Sequence, residues 1–429
     1  MRGMRRTIRI LALLPAFALV VTACGGTQPS TGGGSKTPVT ITVWDYYGQA
    51  TPVKPAISGF EKKYPWITVK YSALDWDTAH EKFPIAVSSN AAPDVATLDM
   101  TWLPVFASKH MLADLSALSG GKLNGQPITT QYAKGALQAM SYQGHYVAML
   151  YDFDVYSLYY RSDLLRAKGI TVPTTWDQLL SAAKKLAVVS NGKCVKSCFE
   201  VGPDTFHWSQ FLYQNGGTVL APGNTRAAFN SPQGVAALGY YAQLLHSGGI
   251  YWGTEQGDPM AGVKDGRIAM FNDGPYWMGL LKSGASEFKG KWGVAPAPYS
   301  RGQSSYLGGT GLAIPVNAPH PEAAWLFTQY LLQLPQQLGV AKYAGAAPAT
   351  LAALRSPELT KPDPYFGGQA PFKVFMAAMQ TAHPFPYVKQ WNDIDTAISD
   401  SVAAALLGKQ SPQSALNAGA AEVNTLLGR

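Results

Sequence analysis

The chain has 429 residues, of which 14% are charged and 11% aromatic. This composition excludes a disordered polypeptide and predicts two or three folded domains rather than one. The formal charge of +8 falls to +4 without the four arginines of the first 23 residues, because 34 basic residues become 30 against 26 acidic ones. No cluster of Lys or Arg follows, so we expect no nucleic-acid partner.

The first residues are typical of an export signal. A positive segment, MRGMRRTIRI, precedes the apolar segment LALLPAFALVV, which is too short to span a membrane. Cys24 follows small residues where a signal peptidase would cut, and this pattern resembles a bacterial lipobox, in which the cysteine is acylated. We predict a signal peptide over 1–23 and an extracytoplasmic protein anchored to the outer face of the cell membrane through Cys24. An ordinary signal with an incidental cysteine is the alternative.

A flexible tether and an α/β segment follow the anchor. Residues 24–38 are rich in Gly, Ser, Thr and Pro, which predicts a lipidated, flexible tether. Three strand patterns (VTITVWDYYG, ITVKYSAL, PDVATLD) then alternate with helix patterns, which indicates a parallel sheet. Ligands of such sheets bind at the carboxyl ends of the strands. Those ends carry the polar and aromatic residues Asp45, Tyr46, Tyr47, Trp76, Asp99 and Trp102.

The stretch AMLYDFDVYSLYY (148–160) is predicted to form a single strand, because aromatic and branched residues dominate it. Alternation along a strand places Asp152, Asp154 and Tyr156 on one face. Carboxylates among apolar neighbours are costly to bury unless a partner satisfies them. The two aspartates are therefore candidate ligand contacts.

Helix patterns dominate the rest of the chain. They are TWDQLLSAAKKLA, SPQGVAALGYYAQLLHSGG, PHPEAAWLFTQYLLQ and DTAISDSVAAALLGK. Between them, YLGGTGLAIPVN is interpreted as a Gly-rich turn that leads into a buried strand. Cys194 and Cys198 are predicted to form a local disulfide, since export implies an oxidising compartment. A redox pair or a metal site is the alternative.

Motifs of catalysis are missing from the sequence. It contains no GxSxG, HExxH or Walker A pattern, and no two histidines have the spacing of metal ligands. We therefore expect neither metal nor cofactor. A glycosidase needs only two carboxylates, so Asp152 with Asp154, or Glu200 with Asp204, keeps a secreted carbohydrate-active hydrolase open as an alternative.

Aromatic residues beside polar turns favour a carbohydrate site. A sugar has an apolar face, on which aromatic rings pack, and a rim of hydroxyl groups. Asp, Asn and backbone groups accept hydrogen bonds from these hydroxyls. Residues of this kind are Trp208 after GPDTFH, Asp273 with Tyr276 and Trp277 in NDGPYW, and Trp391 in QWNDID. Core packing is the competing interpretation of any single tryptophan.

Several segments together resemble a known family. Their order resembles the family 1 extracellular solute-binding proteins, the maltose-binding-protein-like lipoproteins of ATP-binding-cassette sugar importers. The most specific segments are LLRAKGITVPTTWDQLL and GRIAM followed by GPYW. The others are FEKKYPWITV, APDVATLDMTWLPVFASKHMLADLS, GGTGLAIPVNAPHPEAAWLFTQYLL and GKQSPQSALNAGAAEVNTLL.

The resemblance implies the two-lobed α/β periplasmic-binding-protein fold of type II, with a ligand cleft between lobes joined by a hinge. It implies an N-terminal lobe of residues 39–150 and 312–352 and a C-terminal lobe of residues 154–307 and 356–429. The lobes close on a mono- or short oligosaccharide and dock on membrane permease subunits. We expect a monomeric binding protein that catalyses no reaction on its ligand.

The resemblance also assigns ligand-binding residues. Positions that match sugar contacts of relatives are Tyr46, Tyr47, Asp99, Tyr276, Trp277, Gly308, Gly309 and Trp391. Asp154 and Trp208 match less closely, Trp76 and Trp102 rest on their place at strand ends, and Asp152 and Asp273 complete the set. Relatives vary these residues to change ligand, so a non-sugar solute such as a glycerol phosphodiester remains an alternative.

Overall fold

Two mixed β-sheets organise the chain. The computed structural model describes residues 37–48, 51–386 and 388–429; the predicted signal peptide, Cys24 and most of the tether lie outside the described residues. The strands are β1 (Val39–Asp45), β2 (Ile67–Ala73), β3 (Val95–Asp99), β4 (Met149–Val155), β5 (Ser157–Arg161), β6 (Cys198–Val201), β7 (Gly249–Tyr251), β8 (Ile268–Asp273), β9 (Trp292–Ala295), β10 (Ser305–Ala313), β11 (Ala347–Pro348) and β12 (Ala382–Pro384).

Helices cover the faces of both sheets. They are α1 (Ile57–Lys63), α2 (Trp76–Ser88), α3 (Leu103–Ser108), α4 (Leu115–Ser119), α5 (Lys134–Ala139), α6 (Ser162–Ala167), α7 (Trp176–Leu186), α8 (Thr205–Gln214), α9 (Pro232–Gly248), α10 (Pro259–Lys264), α11 (Trp277–Gly284), α12 (Pro321–Leu331), α13 (Leu334–Gly339), α14 (Leu351–Leu354), α15 (Pro371–Ala378), α16 (Trp391–Leu406) and α17 (Pro412–Leu426). Among the described residues, no helix is long and apolar enough to cross a membrane.

The first sheet has the order β11-β4-β10-β3-β1-β2, and β12 pairs with the start of β10. The strands β1, β2 and β3 are parallel, as their alternation with helices predicts, whereas β10 runs antiparallel between β3 and β4. Alternation in β1 buries Ile41 and Val43, and β3 is buried throughout. The carboxyl ends of β1 and β3 therefore open at one edge of this sheet.

The second sheet has the order β7-β6-β8-β5-β9. Its strands β6, β7 and β8 are parallel, and β5 runs antiparallel to β8 and β9. Helix α8 follows β6 and is capped by Asp204, whose side chain accepts a hydrogen bond from the backbone N–H of His207. The two sheets with their helices form two α/β lobes.

The segment 148–160 is not one strand. It forms β4 in the first sheet and β5 in the second, and Tyr156 alone separates them. The chain passes between the lobes here because β4 pairs with β10 while β5 pairs with β8 and β9. The segment is extended, as predicted, but Tyr156 divides it into two strands that belong to different sheets.

The Gly-rich segment 308–311 is not a turn, because it lies inside strand β10. Gly309 adopts φ +146°, which L residues rarely adopt, and a Cβ there would overlap the backbone oxygen of Asp152 on the neighbouring strand. A Cβ at Gly308 would overlap the hydroxyl of Tyr306. These glycines allow close approach within the sheet rather than a reversal of the chain.

The predicted disulfide is confirmed. Cys194 lies in a two-stranded hairpin formed by Val188–Ser190 and Lys193–Lys196, and it is bonded to Cys198 at the start of β6, with 6.0 Å between their Cα atoms. No group of three or more His, Cys, Asp or Glu side chains within the described residues could hold a metal ion. The cysteine pair therefore acts as a local staple of the second lobe.

Candidate functional site

A cavity of about 560 Å³ lies between the two lobes. Eight of the predicted site residues line it: Tyr46, Tyr47, Trp76, Asp99, Asp152, Asp154, Tyr276 and Gly309. The wall is completed by residues outside the predicted ligand-binding set: Phe153, Tyr156, Asp204, Phe206, His207, Leu280, Tyr306, Thr310, Ala344, Ala346 and Asp395. The wall thus combines eight aromatic rings with five aspartates, and none of its described residues is Lys or Arg.

Two tyrosines at the end of β1 form the wall of the first lobe. The rings of Tyr46 and Tyr47 stack with centroids 5.4 Å apart. Both hydroxyls bond to the side-chain oxygen of Thr310 on β10, at 2.7 Å for Tyr46 and 3.0 Å for Tyr47. Asp45 behind them accepts bonds from Thr51, Tyr71 and Thr97, while burial raises the pKa of Asp45 to about 6. The rings are therefore held in place before any ligand arrives.

Asp152 and Asp154 on β4 bring carboxyl groups to the cavity beside the crossing between the lobes. One oxygen of Asp152 accepts from the backbone N–H of Thr310 at 2.9 Å. The other, and Oδ1 of Asp154, have no hydrogen-bond partner among the described residues. Burial raises the pKa of Asp152 to about 7. Burial, with the charges of Asp273, Asp152 and Asp99, raises the pKa of Asp154 well above its ordinary value.

A buried charge cluster supports the wall of the second lobe. His207 Nδ1 lies 2.7 Å from Asp204, and its Nε2 lies 3.8 Å from Asp273 and 3.9 Å from Glu200. Burial lowers the pKa of His207, but these carboxylates outweigh it and hold that pKa well above its ordinary value. Burial of Asp204 acts to raise its pKa, but the nearby His207 cation has the larger effect. The pKa of Asp204 is therefore lowered. Asp204 and His207 therefore form a charged pair.

Asp273 and Trp277 do not line the cavity, but they hold a residue that does. The hydroxyl of Tyr276 donates to Asp273 Oδ1 at 2.8 Å, and the indole N–H of Trp277 donates to Asp273 Oδ2 at 2.5 Å. The ring of Trp277 packs in the core of the second lobe beside Phe271, at 4.6 Å. These two predicted residues therefore position Tyr276 from behind.

Four further predicted residues are not on the cavity wall: Trp102, Trp208, Gly308 and Trp391. The three tryptophans are at most 2% exposed, and Trp391 stacks on Phe385 at 4.5 Å. Trp102 packs against Tyr46 and Trp76, so it supports the wall. Successive helical residues point about 100° apart, so α8 directs Trp208 into the core and its neighbours Phe206 and His207 to the cavity.

The residues that sequence reasoning missed lie next to those it selected. Phe206 and His207 stand in the same GPDTFHW segment as Trp208, and Thr310 directly follows the glycine pair. Asp395 lies one helical turn after Trp391. The aromatic and polar residues in the sequence therefore identified the correct segments. Which side chain of each segment reaches the cavity depends on packing, which sequence periodicity does not specify.

The two lobes also touch beside the cavity. The ring of Trp76 on α2 meets Phe206 on α8 edge-on, with centroids 6.5 Å apart. Near by, Asn392 Nδ2 lies 2.9 Å from His80 Nε2, which joins α16 to α2. Aromatic and polar contacts thus connect the lobes at the rim.

Known proteins share this arrangement. The profile of the bacterial extracellular solute-binding proteins matches residues 44–337. A protein of Deinococcus radiodurans named as a probable ABC transporter-binding protein is 26% identical over 351 residues, covering 78% of this chain and 80% of that protein. An ABC transporter solute-binding protein from Thermotoga lettingae, solved with α-D-tagatose, matches at 26% identity with a TM-score of 0.79, covering 90% of this chain and 99% of that one.

A second solved structure matches as closely. The GacH receptor of Streptomyces glaucescens, solved unliganded and with acarbose and an acarbose homologue, is 25% identical with a TM-score of 0.81. The match covers 92% of this chain and 99% of that receptor. A two-lobed fold around an aromatic and acidic cavity thus defines a binding protein of the periplasmic type.

The chain belongs to the bacterial extracellular solute-binding proteins. The predicted family and fold class are confirmed. Proteins of this family capture solutes for ABC importers and are not enzymes, which removes the hydrolase alternative.

Proposed function

We propose that the protein captures a mono- or short oligosaccharide in the cavity between its lobes and delivers it to the permease of an ABC importer. The observation that carries this proposal is the wall of rings and carboxyl groups around one cavity. Rings cover the apolar face of a sugar, and the aspartates accept from its hydroxyls. A cavity of about 560 Å³ lies within the range of about 300–1,000 Å³ that small-molecule sites occupy.

The related structures support a sugar as the ligand. The Thermotoga protein holds tagatose, and the Streptomyces receptor holds acarbose. Each is similar to this chain over at least 90% of its length. Residues we propose as ligand contacts are Tyr46, Tyr47, Trp76, Asp99, Asp152, Asp154, Phe206 and Tyr276, all of which line the cavity.

A hinge motion would couple capture to delivery. We propose lobe boundaries close to those given above, with the chain crossing between the lobes after β4, at Tyr156, and again before β10. Contacts such as that of Trp76 with Phe206 would form as the lobes close over the solute. We also propose that export through residues 1–23 and acylation of Cys24 keep the protein at the outer face of the membrane, near its permease.

A phosphate ester is the weaker candidate. Phosphate is recognised by charge-assisted bonds, most often from Arg or Lys. None of the described residues on the wall is Arg or Lys, and the wall's cation, His207, is paired with Asp204. A glycerol phosphodiester would therefore meet carboxylates rather than a compensating charge.

Isothermal titration of the purified chain 38–429 tests the proposal. We expect heat of binding with at least one mono- to tetrasaccharide, and weaker binding of that sugar when Trp76 is replaced by Ala. The matched control Trp66→Ala changes a tryptophan of the first lobe that is not on the wall. Binding of a phosphodiester or amino acid, with no response to any sugar, would contradict the proposal.

A further inference from the structure

The charges on the cavity wall are not balanced. Its five aspartates face one cation, His207, and that cation is paired with Asp204 at 2.7 Å. The other four, Asp99, Asp152, Asp154 and Asp395, take part in no ion pair among the described residues. A wall built for neutral hydroxyls alone does not need four uncompensated carboxyl groups, because each is costly to remove from water.

Two of these groups line the cavity, and each has one buried oxygen that no hydrogen bond within the described residues satisfies. Asp152 is 3% exposed, and its Oδ2 is buried without a hydrogen-bond partner among the described residues. Oδ1 of Asp154 is likewise buried without a hydrogen-bond partner among the described residues. It packs against Gly274, where a Cβ would overlap this oxygen. Buried acceptors of native proteins are normally satisfied, so these two oxygens point to a donor that the chain itself does not supply.

Aromatic rings surround the same acceptors. Tyr46 and Tyr276 have their hydroxyls engaged, by Thr310 and Asp273 respectively, so these residues line the cavity with their rings. One face of Tyr46 is covered by Tyr47, and its other face remains for a ligand. The negative face of an aromatic ring attracts a cation, and recognition of ammonium groups commonly combines rings with carboxylates. The rings and the uncompensated carboxyl groups therefore favour the same type of ligand.

We propose that the captured solute is cationic: a sugar that carries at least one protonated amine, held by Asp152 and Asp154 among the tyrosine rings. This inference rests on the proposed function, because it names the ligand class of the same cavity. A protonated amine supplies donors to these two carboxyl groups and lowers the repulsion among the four carboxylates. A neutral sugar supplies donors but leaves the charge uncompensated.

Matched sugars test the inference on the unmodified protein. The probes are three trios that differ only at carbon 2: glucose, glucosamine and N-acetylglucosamine; galactose, galactosamine and N-acetylgalactosamine; cellobiose, the chitosan disaccharide and diacetylchitobiose. Thermal shift ranks all nine, and isothermal titration measures those that stabilise the protein. We expect an amine member to bind at least tenfold tighter than its hydroxyl and acetamide partners.

The outcomes separate the two claims. Equal or tighter binding of a neutral member overturns the inference and leaves the sugar-binding function standing. No shift with any of the nine, together with no heat from any mono- to tetrasaccharide in the titrations described above, contradicts the sugar-binding function and this inference with it.

A variant tests the residues directly. Asp154→Asn keeps the side-chain shape but removes the charge. It should therefore weaken binding of the amine probe about tenfold more than binding of its neutral partner. The control Asp400→Asn changes an exposed aspartate of α16 and should alter neither affinity. Equal weakening of both probes by Asp154→Asn would show a hydrogen-bonding role without charge recognition and would overturn the inference.

Discussion

Asn392 on α16 lies 2.9 Å from His80 on α2, through Nδ2 and Nε2, and this hydrogen bond joins the two lobes beside the cavity. The amide can donate only if Nε2 of His80 is an acceptor, which requires a neutral ring. Burial lowers the pKa of His80, and the charge of Lys109 acts in the same direction. The charges of Asp77 and Glu81 oppose this effect without cancelling it. The bond is therefore a contact between the lobes that acid breaks.

Asn392→Ala should loosen the closed arrangement and weaken solute binding about 3- to 10-fold, the value of one hydrogen bond. Titration calorimetry at pH 7 measures the change. The control Asn417→Ala removes an exposed asparagine that bonds only within the second lobe, to Asn230 and Gln413. Unchanged affinity in the Asn392 variant would mean that the contact does not form with the solute bound.

Acid should act on the same contact. A lowered folded pKa for a histidine means that the stabilisation is complete above its ordinary pKa of about 6.5 and is lost as the pH falls through the lowered value. Wild-type affinity should therefore drop further between pH 7 and pH 5 than the affinity of Asn392→Ala. Parallel pH profiles for the two proteins would exclude His80 as the cause.

Trp76 and Trp277 should respond differently to truncation. Trp76 is 36% exposed at the cavity, so Trp76→Ala should weaken binding by about 1–3 kcal/mol with little change in the free energy of unfolding. Trp277 is 4% exposed in the core, so Trp277→Ala should lower the free energy of unfolding by about 3–5 kcal/mol. Denaturant titration measures the change in stability, and calorimetry measures the change in binding. If Trp277→Ala weakened binding and Trp76→Ala lowered the stability, the cavity would lie elsewhere than described.

This contrast shows how far the sequence predicts the site. Strand ends identified Tyr46, Tyr47 and Asp99 because the carboxyl edge of a parallel sheet is set by local pattern. Tryptophan content alone could not distinguish Trp76, on the wall, from Trp208, which is fully buried, because both lie at the start of a helix that an aspartate caps. The position of β10, antiparallel between β3 and β4, and the glycines inside it depend on pairing between segments about 150 to 220 residues apart. Local periodicity carries no information about such pairing.

The buried carboxyl groups should make stability fall as the pH rises. Burial raises the pKa of Asp152, Glu200 and Asp395 to about 7. A raised acid pKa means that the folded state holds more protons than the unfolded state between about pH 4 and pH 7, so stability decreases across that range. His207, whose pKa is raised by its carboxylate neighbours, loses its contribution in the same direction above about pH 6.5.

Thermal unfolding measures this pH dependence. Without added solute, we expect the Tm to be roughly 5 °C higher at pH 5 than at pH 8. Asp395→Asn should reduce that difference, because the amide does not titrate, whereas Asp400→Asn, at an exposed position, should leave it unchanged. A Tm that rises with pH would show that the carboxyl groups are ionised and compensated in the folded protein.

Gly309 should not tolerate a side chain. Gly309→Ala places a Cβ against the backbone oxygen of Asp152 at a φ of +146°, so β10 must shift away from β4 and move Thr310 with it. We expect a lower Tm and at least tenfold weaker binding. Gly239→Ala is the matched control within α9, where a Cβ meets nothing within 4 Å. It should be neutral or stabilise by about 0.5–1 kcal/mol, and equal behaviour of the two variants would contradict this account of β10.

The most direct test of the central claim is a crystal structure of the protein with the solute that calorimetry shows to bind most tightly. We predict a sugar between the lobes, with its apolar face on Tyr46, Tyr47 or Tyr276 and its donors on Asp152 and Asp154. A solute bound outside this cavity, or one in the cavity that is not a carbohydrate, would contradict the account.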